Sequence, residues 1–123
     1  MRQTTITTAI LCVSIGSSAF AQTVQKAADS VMALNRSGHW AQAEVLATKS
    51  LQTFAVAREP VARCQMVEGL AYAQLRNQRP AGAASTLKVF DGACATVPEM
   101  RGFAKEVAAM RREINTKVSP RKT

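Results

Sequence analysis

The sequence predicts an all-α fold: two antiparallel helical hairpins followed by a C-terminal amphipathic capping helix. Apolar residues recur at steps of three and four along most of the chain, which is the spacing of one helical face. Two short polar segments, Ser37–His39 and Asn77–Pro80, interrupt these patterns and leave room only for tight turns. No stretch alternates apolar and polar residues convincingly as a strand would.

The N-terminal segment, residues 1–21, has the pattern of a secretory signal peptide. Arg2 gives a short positive region, a mostly apolar centre follows, and the segment closes with a small-x-small triplet that ends at Ala21. We expect cleavage after Ala21 and therefore a periplasmic or secreted protein. The alternative is a membrane anchor, but the apolar centre is shorter than the roughly 20 residues that a spanning helix needs.

The mature domain is predicted to cover residues 22–118 and to begin with two helices, at Val24–Ser37 and from near Trp40 to about Thr53. Gly38 stands between them, where a left-handed residue is wanted to end a helix. The apolar face of the first helix consists of Val24, Ala27, Ala28, Val31 and Leu34. The face of the second consists of Trp40, Ala43, Ala47, Ser50 or Leu51, and Phe54.

The third and fourth helices are predicted at Val61–Asn77 and Pro80–Asp91. Removal of the signal peptide leaves two cysteines, Cys64 and Cys94, and an even number in an exported protein indicates a disulfide. The two lie fifteen residues either side of Arg79, so a chain that folds back there brings them side by side. Both fall on the apolar faces that must meet. A pair of buried free thiols is the alternative.

The fifth helix is predicted to start near Thr96, which forms a capping-box pattern with Glu99. It fades near Lys117, and residues 119–123 are expected to form a disordered basic tail. Its apolar stripe is Met100, Phe103, Val107, Met110 and Ile114.

Two short motifs carry a family resemblance. Gly38-x-Trp40-x-x-Ala43 and Gly69-x-x-Tyr72 resemble the glycine, aromatic and alanine positions of the tetratricopeptide repeat, a family of stacked helical hairpins. The second turn, Arg76–Pro80, departs from the pattern because it is one or two residues too long. The period is nearer about 38 residues than the family's roughly 34. A generic five-helix bundle is the alternative.

The resemblance implies that a peptide binds along the groove lined by the first helix of each hairpin. Flexible methionines beside arginine and amide groups suit adaptable recognition of an extended segment. The alternative is that the apolar residues at the inner positions given next belong to the core. By pattern match, the inner positions are Met32, Asn35, Arg36, Arg63, Met66, Leu70 and Gln74.

The chain carries a formal net charge of +8, and most of the excess lies near the C-terminus. In an exported protein nucleic acid is not the expected target; anionic lipid head groups, lipopolysaccharide or an acidic partner fit better. The alternative is a solvated polar face. This predicted basic face consists of Arg101, Lys105, Arg111, Arg112, Lys117, Arg121 and Lys122.

Catalytic residues, a metal site and a cofactor are not expected. His39 is the one histidine, it lies in a tight turn, and no Cys/His cluster has metal-ligand spacing. The cysteines are thirty residues apart and so do not form a C-x-x-C redox motif. We therefore predict a non-catalytic adaptor or binding module that holds a peptide or protein partner in the bacterial envelope. The alternative is a cationic protein that binds anionic envelope components, and a homo-oligomer stays open.

Overall fold

The computed structural model describes residues 22–55 and 58–118, which form five packed α-helices and one 3-10 helix, with no strand in those ranges. The all-α prediction is therefore confirmed. The predicted signal peptide and basic tail lie outside the described residues. The elements are α1 (22–36), α2 (Trp40–Thr53), α3 (Pro60–Arg76), α4 (Pro80–Ala93), the 3-10 helix (Pro98–Phe103) and α5 (Ala104–Val118).

The helix ends follow local chemistry. Pro60 and Pro80 each open a helix, where a missing backbone N–H costs nothing. α4 continues through Gly92 to its C-cap, Cys94, so this glycine does not end the helix early. The predicted capping box before α5 is wrong: Val97, not Thr96, precedes the first turn, which is 3-10 and has no side-chain cap. None of the helices in the two described ranges is both long and apolar enough to cross a membrane.

The turns that close the two hairpins are alike. In the first, the N–H of His39 donates to the carbonyl of Leu34 (2.8 Å), and in the second Arg79 donates to Gln74 at the same distance. Gly38 has φ of +80° and Gln78 of +64°, so both turns end a helix with a left-handed residue in a Schellman arrangement. The second turn is therefore not longer than the first, and the repeat is forty residues rather than about 38.

The predicted pairing of the cysteines is confirmed at the level of distance. The Cα atoms of Cys64 and Cys94 are 5.6 Å apart and their sulfur atoms lie within bonding distance. Both residues are buried, at 3% and 1% exposure. The disulfide joins the start of α3 to the C-cap of α4, at the opposite end of the hairpin from its turn.

The core has two parts, and α3 contributes to both. One part lies between α1, α2 and α3, and it includes Val31 and Met66. The other lies between α3, α4, the 3-10 helix and α5, and it includes Val67, Leu87 and Met110. A helix that is buried on two sides becomes the central element of the fold. Most residues of the apolar faces predicted for the first, second and fifth helices belong to these clusters.

Helices α1 and α3 run in the same direction and pack closely. Near their starts Gln25 Nε2 donates to Gln65 Oε1 (2.9 Å), and further along Asn35 Nδ2 donates to the carbonyl of Gly69 (3.1 Å). A Cβ atom at Gly69 would lie 2.7 Å from Val31 Cγ1, which is shorter than van der Waals contact. The close approach of the two helices therefore needs a glycine at this position.

Helix α5 also runs parallel to α3. Glu68 of α3 faces Glu106 near the start of α5, and further along both helices Arg76 forms an ion pair with Glu113. α1, α3 and α5 thus share one direction, while α2 and α4 return in the opposite one. This arrangement leaves a concave surface over α3, between α1 and α5.

Candidate functional site

A groove of about 230 Å³ lies where α1, α3 and the start of α5 meet. α3 forms its floor, α1 forms one wall, and the 3-10 helix with α5 forms the other. Apolar, aromatic, amide and charged side chains all reach the surface of the groove. They are Met32, Asn35 and Arg36 from α1, Glu68 and Tyr72 from α3, and Phe103 and Glu106 from the opposite wall.

Glu68 is the buried acid of the floor. Its residue is 5% exposed, and no residue in the described ranges donates a hydrogen bond to its carboxylate or forms an ion pair with it. Burial, and secondarily the negative charge of Glu106, raises the pKa of Glu68 from 4.5 to about 7. Near neutral pH the floor therefore exchanges between a neutral and a charged form.

Asn35 supplies a second acceptor without a partner. Its Nδ2 is used, because it donates to the carbonyl of Gly69 at 3.1 Å. Its Oδ1 is buried and has no hydrogen-bond partner within the described part of the chain. Since a buried acceptor without a donor costs about 1–3 kcal/mol, the groove retains an unmet demand for a hydrogen-bond donor.

Aromatic rings border the acidic floor. Tyr72 and Phe103 are both half-buried, and both line the groove. The guanidinium carbon of Arg76 lies 5.5 Å from the centroid of the Tyr72 ring, within the range of a cation–π contact. The ring therefore already engages one cation on α3.

Three of the residues predicted to bind a partner lie on this groove. Met32 and Asn35 are half-buried, and Arg36 is exposed at the rim. The ion pairs found in the described ranges do not include Arg36. The first helix of the first hairpin therefore presents its predicted inner face to the groove.

The four predicted positions on α3 lie elsewhere. Met66 is fully buried in the core between α1 and α2, and Leu70 packs against the same cluster. Arg63 donates to a backbone carbonyl at the end of α2 (3.2 Å), and Gln74 accepts a hydrogen bond from a threonine of α4 (2.6 Å). These residues hold α3 in place and are not available to a ligand in the groove.

Four residues of the groove are not among the binding residues predicted from the sequence: Glu68, Tyr72, Phe103 and Glu106. One local signal for Glu68 was present, because it is an acid between Val67 and Gly69 in the most apolar part of α3. The positions of Phe103 and Glu106 depend on how α5 packs, and their spacing along the chain contains no sign of it.

The predicted basic face is partly neutralised within the chain. Arg111 forms an ion pair with Asp91, and Lys117 lies 3.5 Å from Glu113. Arg121 and Lys122 lie outside the described residues. The members that are exposed and have no ion pair in the described ranges are Arg101, Lys105 and Arg112.

A larger, open hollow of about 650 Å³ lies on the outer side of α2, beside the second turn. Its buried acid, Glu44, accepts a hydrogen bond from Asn77 Nδ2 (2.9 Å) and forms an ion pair with Arg79. These contacts link α2 to the second turn. Because its buried charge is already paired, this hollow has less to direct a ligand than the groove has.

Comparison with known proteins adds no relative: no protein-family model, curated protein or solved structure matches the chain.

Proposed function

We propose that the chain is a non-catalytic exported binding module whose groove holds an extended peptide segment of a partner protein in the bacterial envelope. The observation that carries this proposal is the concave surface formed by three parallel helices. Its apolar and aromatic side chains provide contact area, and its acceptors without partners in the described ranges can orient a bound peptide through hydrogen bonds. Surfaces of this kind bind extended segments in helical-hairpin proteins without any catalytic group.

The size of the groove favours a peptide over a free small molecule. Small-molecule pockets occupy roughly 300–1,000 Å³, whereas this groove measures about 230 Å³. It can enclose one large side chain while the rest of a peptide lies across the rims. Met32 and Phe103, on opposite walls, are placed to contact that side chain from both sides.

The arrangement also supports the resemblance to tetratricopeptide repeats. The two hairpins repeat every forty residues with equal turns, and the groove lies on the side of α1 and α3, their first helices. α5 occupies the place of the next first helix, as a capping helix does. This is a likeness of architecture, since the period remains longer than the family's roughly 34 residues.

Location in the envelope rests on the signal-peptide pattern of residues 1–21. The test is to produce the full chain in a bacterium and measure the mass of the periplasmic product. We expect a mature chain that begins at Gln22. A product in the cytoplasm that retains Met1 contradicts export.

Peptide binding is tested by selection from a displayed library of random ten-residue peptides against the mature protein. Selected peptides should shift the NMR signals of the Met32 methyl group and of the Tyr72 and Phe103 rings. The variant Met32→Ala should weaken binding about tenfold. The matched control is Val45→Ala, which truncates a 66% exposed side chain on the outer surface of α2.

Two results would contradict the groove as the binding site. One is a set of selected peptides whose shifts cluster outside α1, α3 and α5. The other is equal loss of affinity in Met32→Ala and Val45→Ala.

A second candidate function is binding of anionic envelope components through the basic face. Three exposed basic side chains that form no ion pair with any described residue support it: Arg101, Lys105 and Arg112. Binding to vesicles of phosphatidylglycerol should then fall steeply with salt, because exposed charges are screened over about 8 Å at physiological ionic strength. Vesicle binding unchanged by replacement of these three with glutamine contradicts this function.

A further inference from the structure

We propose that the groove selects a positively charged group, the guanidinium of an arginine in the bound peptide, held between the carboxylates of Glu68 and Glu106. This inference rests on the peptide-binding function proposed above and names the side chain that the groove accepts. Two independent observations point to it: Glu68 is 5% exposed and has no hydrogen-bond or ion-pair partner among the described residues, and within the same ranges the buried Oδ1 of Asn35 has no donor.

Among the described residues, the buried groups of the groove that have no hydrogen-bond or ion-pair partner are acceptors. Glu68 and Glu106 offer carboxylate oxygens, neither has an ion pair in the described ranges, and Asn35 offers an amide oxygen. A guanidinium has five N–H donors in one plane and no acceptor. It can therefore donate to both carboxylates and balance their charge, whereas a neutral amide donates without a charge and an anionic side chain has no donor.

The aromatic border fits the same group. Guanidinium ions stack on aromatic faces and are more weakly hydrated than ammonium ions, so they enter partly buried sites more readily than lysine does. Phe103 is half-buried and lines the wall, and Tyr72 already shows the contact with Arg76 at 5.5 Å. The groove thus combines charge with the flat apolar surface that a guanidinium prefers.

Two features repel a cationic ligand, the side chain of Arg36 and the net positive charge of the chain. Neither outweighs the attraction of the acidic floor. Arg36 lies at the rim and is exposed, so its repulsion is reduced by water. The chain has a formal net charge of +8, but its basic excess is concentrated near the C-terminus. Charges separated by more than about 8 Å are screened at physiological ionic strength, while contacts inside a partly buried groove are screened much less.

Proton linkage predicts that the affinity of the groove for a cation depends on pH. The titratable groups that line the groove with Glu68 are Arg36 from α1, Tyr72 from α3 and Glu106 from α5, and of these Glu106 acts on Glu68 electrostatically. A bound cation favours the charged form of Glu68 and so displaces its proton. Because the pKa of Glu68 in the free protein is about 7, affinity should rise about tenfold between pH 6 and pH 8.

The test uses two small probes of the same shape, n-butylguanidinium and neutral n-butylurea, titrated into the mature protein at millimolar concentration. Carboxyl carbon NMR signals report the side chains of Glu68 and Glu106 directly. We expect n-butylguanidinium to bind at least tenfold more tightly than n-butylurea at pH 8, with the largest shifts at these two carboxyl groups.

Matched variants separate the groove from general charge. Glu68→Gln and Glu106→Gln should each weaken binding of n-butylguanidinium, and Glu68→Gln should also remove its pH dependence. The control is Glu99→Gln, which changes the net charge equally at an exposed position outside the groove. Because Glu68→Gln removes a buried charge, we expect its melting temperature to be equal to or higher than that of the parent. If it is, unfolding does not explain the loss of binding.

Equal affinity for the two probes, or equal loss in Glu99→Gln, overturns the inference. Library peptides that bind the groove without an arginine also overturn it but leave the peptide-binding function standing. If n-butylguanidinium binds at Glu68 and Glu106 while no library peptide binds the groove, the cation site stands and the peptide-binding function fails.

Discussion

Gly38 and Gln78 hold the same place in two turns forty residues apart, and both have a left-handed φ, +80° and +64°. Glycine adopts this conformation without steric cost, whereas a residue with a Cβ atom pays about 1–2 kcal/mol. The two turns therefore form one motif with a favourable residue in the first copy and a strained one in the second.

The variant Gln78→Gly should raise the free energy of unfolding by about 0.5–1 kcal/mol, because it relieves this strain. The reciprocal change, Gly38→Ala, should lower it by about 1 kcal/mol. A Cβ atom at Gly38 would meet no atom within 4 Å, so its cost comes from φ alone. Urea denaturation measures the change in the free energy of unfolding for each variant. A Gly38→Ala variant that is more stable than the parent would contradict the equivalence of the turns.

The variant Gly69→Ala should destabilise the protein by about 1–2 kcal/mol, although alanine favours a helix more than glycine does. The added Cβ atom would lie 2.7 Å from Val31 Cγ1, and a β-branched side chain cannot rotate away freely. In a Val31→Ala background the same change should become neutral or stabilising. A double-mutant cycle from urea denaturation measures this coupling, and a coupling near zero would argue against the packing of α1 on α3.

Stability should fall as pH rises through the neutral range because of Glu68. Its pKa is about 7 in the folded protein and 4.5 is its ordinary value, so the folded state holds the proton more tightly. This contribution is fully present below about pH 4.5 and is lost as pH passes about 7. A difference of this size corresponds to about 3 to 4 kcal/mol of the free energy of unfolding.

Glu68→Gln should therefore stabilise the protein at pH 8 and flatten the dependence between pH 5 and pH 8. The other titratable side chains that line the groove, Arg36, Tyr72 and Glu106, are unchanged in this variant. Thermal unfolding across this pH range measures the effect, with Glu99→Gln as the exposed control. An unchanged slope in Glu68→Gln would show that another group titrates.

Loss of the disulfide should destabilise the protein by about 3–4 kcal/mol, because the bridge closes a loop with a sequence separation of 30 residues. The variant that carries both Cys64→Ala and Cys94→Ala should unfold at lower urea concentration than the parent. Reductant should lower the parent to the same level and leave the variant unchanged. A mass measured without reductant that shows two free thiols in the exported protein would contradict the disulfide.

Local patterns predicted much of the fold because they act over short distances. The left-handed residue after α1 follows from Gly38, and the starts of α3 and α4 follow from Pro60 and Pro80. The pairing of Cys64 with Cys94 follows from a hairpin with arms of equal length. The forty-residue period was harder to see, because the equivalent residues differ in type, as Gly38 and Gln78 do.

The groove itself depends on packing between elements that are distant in sequence. A helical stripe shows that Phe103 is apolar, but only the parallel packing of α5 on α3 places it opposite α1. The same packing puts Glu106 beside Glu68 and so helps to raise the pKa of the buried acid. The family pattern assigns Met66 and Leu70 to the binding face, but the close packing of α1 on α3 at Gly69 places Met66 in the core and Leu70 against it.

The position of the disulfide makes the two hairpins unequal in stiffness. The second hairpin is tied covalently at its turn and at its opposite end, where Cys64 meets Cys94. Forty residues earlier the corresponding positions are Val24 and Phe54, which belong to one apolar cluster and cannot form a disulfide. If a bulky ligand requires a wider groove, we therefore expect α1 to move outward while α3 stays in place. The groove then has one movable wall above a fixed floor.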